Sequence, residues 1–101
     1  MLAEYAGVCR IIHVKDFRVV PLPQEAIDRF AAGDQEGGFQ AFLSIAQFAE
    51  VGAGNMNWPA LLPAAVEAGA EFFFVEQDEM YGRDPYDCLA DSRAYLRSIG
   101  Y

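Results

Sequence analysis

The sequence has few basic residues and no long apolar run. Seven Lys and Arg stand against 15 Asp and Glu in 101 residues, which gives a net charge of −8. This balance opposes the phosphate contacts on which nucleic-acid affinity depends, so we expect no nucleic-acid partner. No run approaches the roughly 18 apolar residues that span a bilayer, and the first residues lack the basic start of a secretory signal. We therefore expect no membrane association and a cytoplasmic location.

Cysteine is also scarce. Cys9 and Cys88 are the only two, and their spacing matches neither a disulfide framework nor a zinc site. We expect two reduced thiols that pack as small buried hydrophobes. The remaining composition, 53% hydrophobic and 14% aromatic, is typical of a folded chain, and its length allows one domain at most. We predict a single domain over residues 1–101.

The order of apolar runs and chain breakers predicts an α/β fold. Residues 8–14 and 72–75 are apolar enough to predict strands buried on both faces. Residues 58–68 predict a helix with Asn57 as its N-cap, and a second helix follows the cap Asp84. Strands that alternate with helices in this way favour parallel pairing.

The segment between the first strand and Asn57 is less regular. Residues 24–32 predict a short helix that ends at Gly33. Residues 39–48 fit either a helix or an extended segment, with a preference for helix in the first half. Pro63 lies inside the predicted helix 58–68, so that helix is expected to begin late or to kink.

Chemically active side chains follow both predicted strands. The stretch HVKDF (residues 13–17) ends the first strand, and VEQDE (residues 75–79) ends the second. Since carboxyl ends of neighbouring parallel strands share one edge, we expect His13 and Glu76 to lie close together. By alternation Lys15 shares the face of His13, while Asp16 faces the other way.

Several roles are open to these residues. His13 fits a metal ligand, a general base or a hydrogen-bonded core residue. Glu76 leaves a buried strand, which requires a cation or hydrogen bonds unless it is a solvated loop acid. Asp78 shares the face of Glu76, and Glu79 fits a solvated position. Imidazole and carboxylate together are common ligands of a catalytic divalent ion.

The glycine-rich stretch VGAGNMNW (residues 51–58) matches no phosphate-binding fingerprint. Its pattern predicts a turn that leads into the helix, with Trp58 as a packing residue.

Taken in order, three stretches resemble the C-terminal part of the sugar phosphate isomerase/epimerase family, which has the xylose isomerase-like TIM-barrel fold. They are HVKDF, FAEVGAGNMNWPALLPAAVEAG and FFFVEQDEMYGRDPYDCLADSRAYLRSIGY. The resemblance covers nearly the whole chain, least well over residues 19–47. It implies the last two β/α units of such a barrel.

The resemblance also implies a chemistry. In that family a histidine of the seventh strand and a glutamate of the eighth hold a divalent metal (Mn, Mg, Co or Zn), and these positions correspond to His13 and Glu76. Glu76 would be one of two glutamates that move a proton between adjacent sugar carbons through an enediolate. Lys15 and Arg18 would meet a hydroxyl or phosphate of a sugar or sugar phosphate.

Two departures from the family limit this expectation. Ala53 and Asn57 stand where the family often has acidic residues, and Ala53 removes a carboxylate near the barrel mouth. A TIM barrel takes about 250 residues, so the metal ligands of the fifth and sixth strands are not in this sequence.

We therefore expect a partial barrel, completed either by a missing N-terminal part or by homo-oligomerisation, and an isolated chain with little or no activity. The alternative is a non-enzymatic truncated barrel that self-associates through exposed strand edges. A different lyase or endonuclease on the same barrel also stays open, since this fold hosts many activities.

Overall fold

Short strands and helices alternate along residues 2–101, which are the residues that the computed structural model describes. The elements in chain order are a 3-10 helix (Leu2–Tyr5), β1 (Ile11–Val14), β2 (Asp16–Val19), α1 (Gln24–Ala31), α2 (Gln35–Leu43), β3 (Ala46–Ala49), α3 (Trp58–Glu67), β4 (Phe72–Val75) and α4 (Pro85–Ser98). None of these helices is long and apolar enough to cross a membrane.

The strands form two separate pairs. β1 and β4 run parallel, with Ile11 opposite Phe72 and Val14 opposite Val75. β2 and β3 run antiparallel. The α/β class and the parallel pairing of the two predicted strands are confirmed. The strands of residues 2–101 do not close into a barrel.

The helices α3 and α4 pack on one face of the β1–β4 sheet. Val14 is fully buried and forms a core with Val51, Trp58 and Leu62. Around this core pack Ile12, Phe73 and Val75 of the sheet, Tyr95 and Leu96 of α4, and Ile99 directly after α4. The alternate side chains of β1 and β4 therefore point toward α3 and α4.

The opposite face of this sheet is open. Ile11, Phe72 and Phe74 are 55%, 54% and 53% exposed, and His13 lies among them. The prediction that both strands are buried on both faces is wrong. Both helices lie on one side, and no other element among residues 2–101 covers the second side. We call these four residues, Ile11, His13, Phe72 and Phe74, the open face.

The irregular segment forms a helical pair carried by the β2–β3 ribbon. The predicted helix is confirmed as α1, whereas residues 39–48 divide into the end of α2 and the strand β3. α1 and α2 pack chiefly against each other. The radius of gyration is 17.0 Å, compared with about 13 Å for a compact chain of 100 residues. The molecule is therefore elongated.

The starts of the two long helices differ. Asp84 caps α4 as predicted, because its Oδ1 accepts from the backbone N–H of Tyr86 at 2.8 Å. Asn57 occupies the N-cap position of α3, but its side chain makes no capping bond. α3 begins at Trp58 and continues through Pro63, so it does not begin late.

The two cysteines have different environments. Cys88 is buried as predicted, and Cys9 is exposed. The expectation of a buried Cys9 is wrong because β1 begins only at Ile11, so residue 9 lies before the sheet. Both thiols are free.

A buried carboxylate joins the start of β2 to the turn before α3. The Asp16 side chain is fully buried and accepts five N–H bonds. The donors are the backbone N–H groups of Phe17 (2.8 Å), Gly52 (2.9 Å), Gly54 (3.3 Å) and Met56 (3.2 Å) and the indole Nε1–H of Trp58 (2.8 Å). All five are donors, which matches the acceptor-only character of an ionised carboxylate.

Gly54 is required by this arrangement. A Cβ at residue 54 would lie 2.1 Å from Asp16 Oδ1 and 2.4 Å from the backbone oxygen of Phe17. Both distances are far below van der Waals contact, so the small residue lets the turn approach the carboxylate.

We expect Asp16→Asn to lower the free energy of unfolding by about 2–4 kcal/mol, because an amide leaves part of this buried donor set without an acceptor. Urea denaturation followed by circular dichroism measures the change. Gly54→Ala is expected to destabilise the same junction independently, through the clash of its Cβ.

The matched control is Asp28→Asn on α1, where Oδ1 accepts one bond from the Gln24 side chain at an exposed site. Its effect should stay within about 0.5 kcal/mol. An Asp16→Asn protein as stable as this control would show that the turn does not depend on the carboxylate.

Candidate active site

Chain pairing places His13 and Glu76 at one edge of the parallel sheet. His13 is in β1, and Glu76 directly follows β4. The Glu76 backbone N–H donates to the Val14 oxygen at 3.1 Å, which extends the pairing by one residue. Glu76 lies two residues after Phe74, so by strand alternation it continues the open face just beyond the carboxyl end of β4.

Four side chains meet at this edge, and we call them the strand-end cluster: His13, Lys15, Glu76 and Asp78. His13 Nδ1 lies 2.6 Å from Glu76 Oε2. Lys15 Nζ lies 2.8 Å from Glu76 Oε1 and 2.7 Å from Asp78 Oδ2. The side chains of Lys15 and Glu76 are 26% and 37% exposed, so the cluster is accessible from solvent.

The charges in the cluster support one another. The Lys15 ammonium, and after it His13, hold the pKa of the Glu76 carboxyl below its usual range. Hydrogen bonds to Asp78 and then to Glu76 raise the pKa of Lys15. Glu76 is therefore ionised and Lys15 protonated across the neutral range.

The predicted proximity of His13 and Glu76 is present, and Lys15 lies on the same face. The sequence predicted that a cation or hydrogen bonds receive Glu76 unless it is a solvated loop acid, and the resemblance implied a metal as that cation. In the structure the Lys15 ammonium receives Glu76. Asp78 also pairs with Lys15, whereas the Glu79 side chain accepts a hydrogen bond from the Tyr81 backbone N–H at 2.8 Å.

The imidazole of His13 and the carboxylate of Glu76 are side chains of a type that binds metals, but they are too few to form a complete site. An ionised carboxylate only accepts, so His13 donates from Nδ1 to Glu76 and a neutral ring keeps its lone pair on Nε2. Both oxygens of Glu76 are already engaged, by His13 and Lys15. Residues 2–101 contain no group of three or more His, Cys, Asp or Glu that could hold a metal ion. Within this part of the chain the edge carries two side chains of metal-ligand type, His13 and Glu76, and the Lys15 ammonium occupies one oxygen of Glu76.

Arg18 lies apart from the strand-end cluster. It is in β2, and its Nε–H donates to Gln47 Oε1 at 3.1 Å across the β2–β3 ribbon. Its side chain lines a polar pocket together with Phe48, Gln77 and Tyr81. Phe48 connects the two regions, since Lys15 Nζ lies 5.6 Å from the centroid of its ring.

A second charged network lies beside this pocket. Arg83 donates from Nη1 to Glu50 Oε1 at 2.6 Å and from Nη2 to Asp91 Oδ2 at 2.8 Å. The pKa of the Glu50 carboxyl is lowered, mainly by a hydrogen bond from the backbone N–H of Glu50. Burial opposes this effect, and hydrogen bonds to Cys88 and Arg83 lower the pKa further. Burial first, and Glu50 second, raise the pKa of the Cys88 thiol. Glu50 is thus an ionised carboxylate that is paired with Arg83 in the wall of the pocket.

Sequence reasoning missed Asp16 as the residue that positions this edge. Alternation predicted that Asp16 faces away from His13 and Lys15, and in the structure its side chain is buried against the turn before α3. A carboxylate there needs donors, and the small residues at positions 52–54 supply close backbone N–H groups. An acid on the packed side of the strand, together with a turn of small residues further along the chain, was the signal in the sequence that could have identified Asp16. Tyr81 was missed because no local pattern marks it.

We expect Lys15→Met to raise the pKa of Glu76 in metal-free protein, because the ammonium is the main group that lowers it. Carboxyl ¹³C chemical shifts followed against pH measure this directly. A lowered folded-state pKa stabilises the protein above the usual value and loses that contribution as pH falls through the folded value. The wild type should therefore lose more stability on acidification below about pH 4.5 than Lys15→Met.

Arg29→Met is the matched control, since it removes a cation from an exposed pair with Glu25 on α1. It should leave the titration of Glu76 unchanged. If Glu76 titrates identically in wild type and Lys15→Met, the contact does not govern its charge.

Comparisons with protein-family models, curated proteins and solved structures found no match for this chain. The chemistry of the strand-end cluster therefore rests on its geometry and on the resemblance of its motifs.

Proposed function

We propose that the chain is the last two β/α units of a xylose isomerase-like TIM barrel, and that its strand-end cluster is part of the active site of a divalent-metal-dependent sugar or sugar phosphate isomerase or epimerase. The supporting observation is the meeting of His13 and Glu76 at the carboxyl edge of parallel strands. Active sites of such barrels are built at this edge.

Glu76 is the residue that would move the proton. It is ionised at neutral pH, accessible and held in a fixed position by His13 and Lys15. Proton abstraction next to a carbonyl gives an enediolate, and return of the proton to the other carbon or face completes isomerisation or epimerisation. The Lys15 ammonium, 2.8 Å from Glu76 Oε1, would stabilise negative charge on a substrate oxygen bound beside Glu76.

His13 Nε2 and, once released by Lys15, Glu76 would hold the metal. When bound, the metal polarises the carbonyl and hydroxyl oxygens of the substrate. The remaining ligands would come from a missing N-terminal part of the barrel or from another copy of the chain. The isolated chain is accordingly expected to be inactive or nearly so.

We expect Mn²⁺ added to the isolated chain to broaden the NMR signals of His13 and Glu76 selectively. Lys15→Met should strengthen Mn²⁺ binding about tenfold, because it removes a cation that competes for Glu76. Glu76→Gln should abolish the selective broadening. Turnover of ketoses and ketose phosphates with Mn²⁺ or Co²⁺ should stay near background in all three proteins.

The control for non-selective binding is Asp28→Asn, which removes one exposed acid of α1 and should not alter the affinity. Broadening spread evenly over the acidic surface would contradict the proposed metal site. Robust epimerisation by the isolated chain, lost in Glu76→Gln, would contradict its incompleteness.

The second candidate is a non-enzymatic module that self-associates. The open face favours it, because Ile11, Phe72 and Phe74 are each more than half exposed. The outer edges of β1 and β4 also lack a neighbouring strand within residues 2–101. Exposed apolar faces and unpaired edges are common sites of association.

Sedimentation velocity tests this second candidate. If the open face mediates self-association, the wild type forms oligomers in a concentration-dependent manner, and Phe72→Thr/Phe74→Thr shifts it to monomer. Tyr86→Thr is the control, since Tyr86 is 81% exposed at the start of α4, away from that face. A wild type that stays monomeric at all concentrations would exclude the module.

A further inference from the structure

A polar pocket of about 180 Å³ lies between the β2–β3 ribbon and the turn after β4. Arg18, Phe48, Gln77, Tyr81 and the Glu50–Arg83 pair form its wall. It adjoins the strand-end cluster, because Gln77 follows Glu76 in the chain and the Phe48 ring lies beneath Lys15. Since a water molecule takes about 30 Å³ in the liquid, the pocket has room for a phosphate group with several waters.

Arg18 is the cation of this pocket that is available to a ligand. The ion pairs within residues 2–101 engage Lys15 and Arg83 but not Arg18, whose Nε–H donates to the neutral side chain of Gln47. An arginine carries five N–H donors in a planar fork, so the other guanidinium N–H groups are left for an anion.

Tyr81 supplies a second donor. It is the non-glycine residue with positive φ among residues 2–101, at 51°, a backbone conformation that side chains other than glycine seldom adopt. Glu79 holds its backbone N–H, and its hydroxyl accepts from the Phe48 backbone N–H at 3.1 Å. Because that hydroxyl oxygen accepts, its own hydrogen is available to donate into the pocket.

Among the described lining residues, two cations, Arg18 and Arg83, accompany one carboxylate, Glu50. Arg83 donates to Glu50 at 2.6 Å and also to Asp91, which does not line the pocket, so Arg18 is the cation without an acidic partner. The guanidinium of Arg18 and the hydroxyl of Tyr81 approach from different elements, β2 and the turn after β4. Donors from several directions suit the oxygens of a tetrahedral phosphate.

We propose that the Arg18–Tyr81 pocket binds the phosphate of a phosphate monoester. Its role as a specificity site for sugar phosphates rests on the proposed function, because the rest of such a substrate would extend past Phe48 to Glu76. Phosphate binding by the pocket does not depend on that function.

The test is titration of the ¹⁵N-labelled chain with glycerol phosphate, inorganic phosphate, acetate and glycerol at constant ionic strength. We expect saturable shifts of the Arg18 Nε and Tyr81 signals with glycerol phosphate and inorganic phosphate, and none with glycerol. Arg18→Gln should weaken binding about tenfold, since it removes charge-assisted hydrogen bonds. Tyr81→Phe should weaken it less, through loss of one neutral donor.

Arg29→Gln on α1 is the control and should bind like the wild type. Equal affinity of wild type and Arg18→Gln would overturn the proposal, and so would acetate binding as tightly as phosphate. Binding of inorganic phosphate without glycerol phosphate would overturn the monoester assignment. Because no turnover is measured, phosphate binding together with a failed Mn²⁺ test would reject the isomerase and retain the pocket.

Discussion

The Asp16 carboxylate is the contact on which the geometry of this molecule depends. It collects donors that lie 36 to 42 residues further along the chain, from the turn at 52–56 and from Trp58. These bonds fix where α3 begins relative to the end of β1. Lys15 precedes Asp16 directly, so anchoring Asp16 on the packed side directs Lys15 to the other side. The position of the strand-end cluster is therefore set by a buried polar junction as well as by the apolar core.

The same edge shows how charge is distributed when a chain has an excess of acids. Lys15 lies between Glu76 and Asp78 and engages both within 2.8 Å. A divalent cation at Glu76 would have to compete with this ammonium, because both oxygens of the carboxylate are engaged. Metal binding at Glu76 would therefore require Lys15 to give up one carboxylate oxygen. Such a competition would not arise at a site whose carboxylates have no cationic side chain beside them.

Local patterns in the sequence were sufficient for the parallel strands and for the meeting of His13 with Glu76. Alternation and the strand-end rule depend only on neighbouring residues, and both apply to these short apolar runs. The exposure of Phe72 and Phe74 could not be predicted in this way, because exposure depends on which elements cover a strand. The partners of Asp16 and Tyr81 were not predicted because no strand-pairing or strand-end rule relates these residues to the turn at 52–56 or to Phe48. The split of residues 39–48 into helix and strand likewise depends on pairing with β2.

The open face links the two candidate functions physically. Ile11, Phe72 and Phe74 lie on the same side of the sheet as His13 and Glu76, so any cover over these apolar side chains also borders the cluster. Removing water from that side lowers the local dielectric and strengthens the attraction between Lys15 and Glu76. It also raises the cost of leaving either charge without a partner. A covered sheet would therefore hold Glu76 more firmly in its ionised, paired form than the open sheet does. A cover over this face, whether the rest of a barrel or a second copy of the chain, would therefore also change the electrostatics of Glu76.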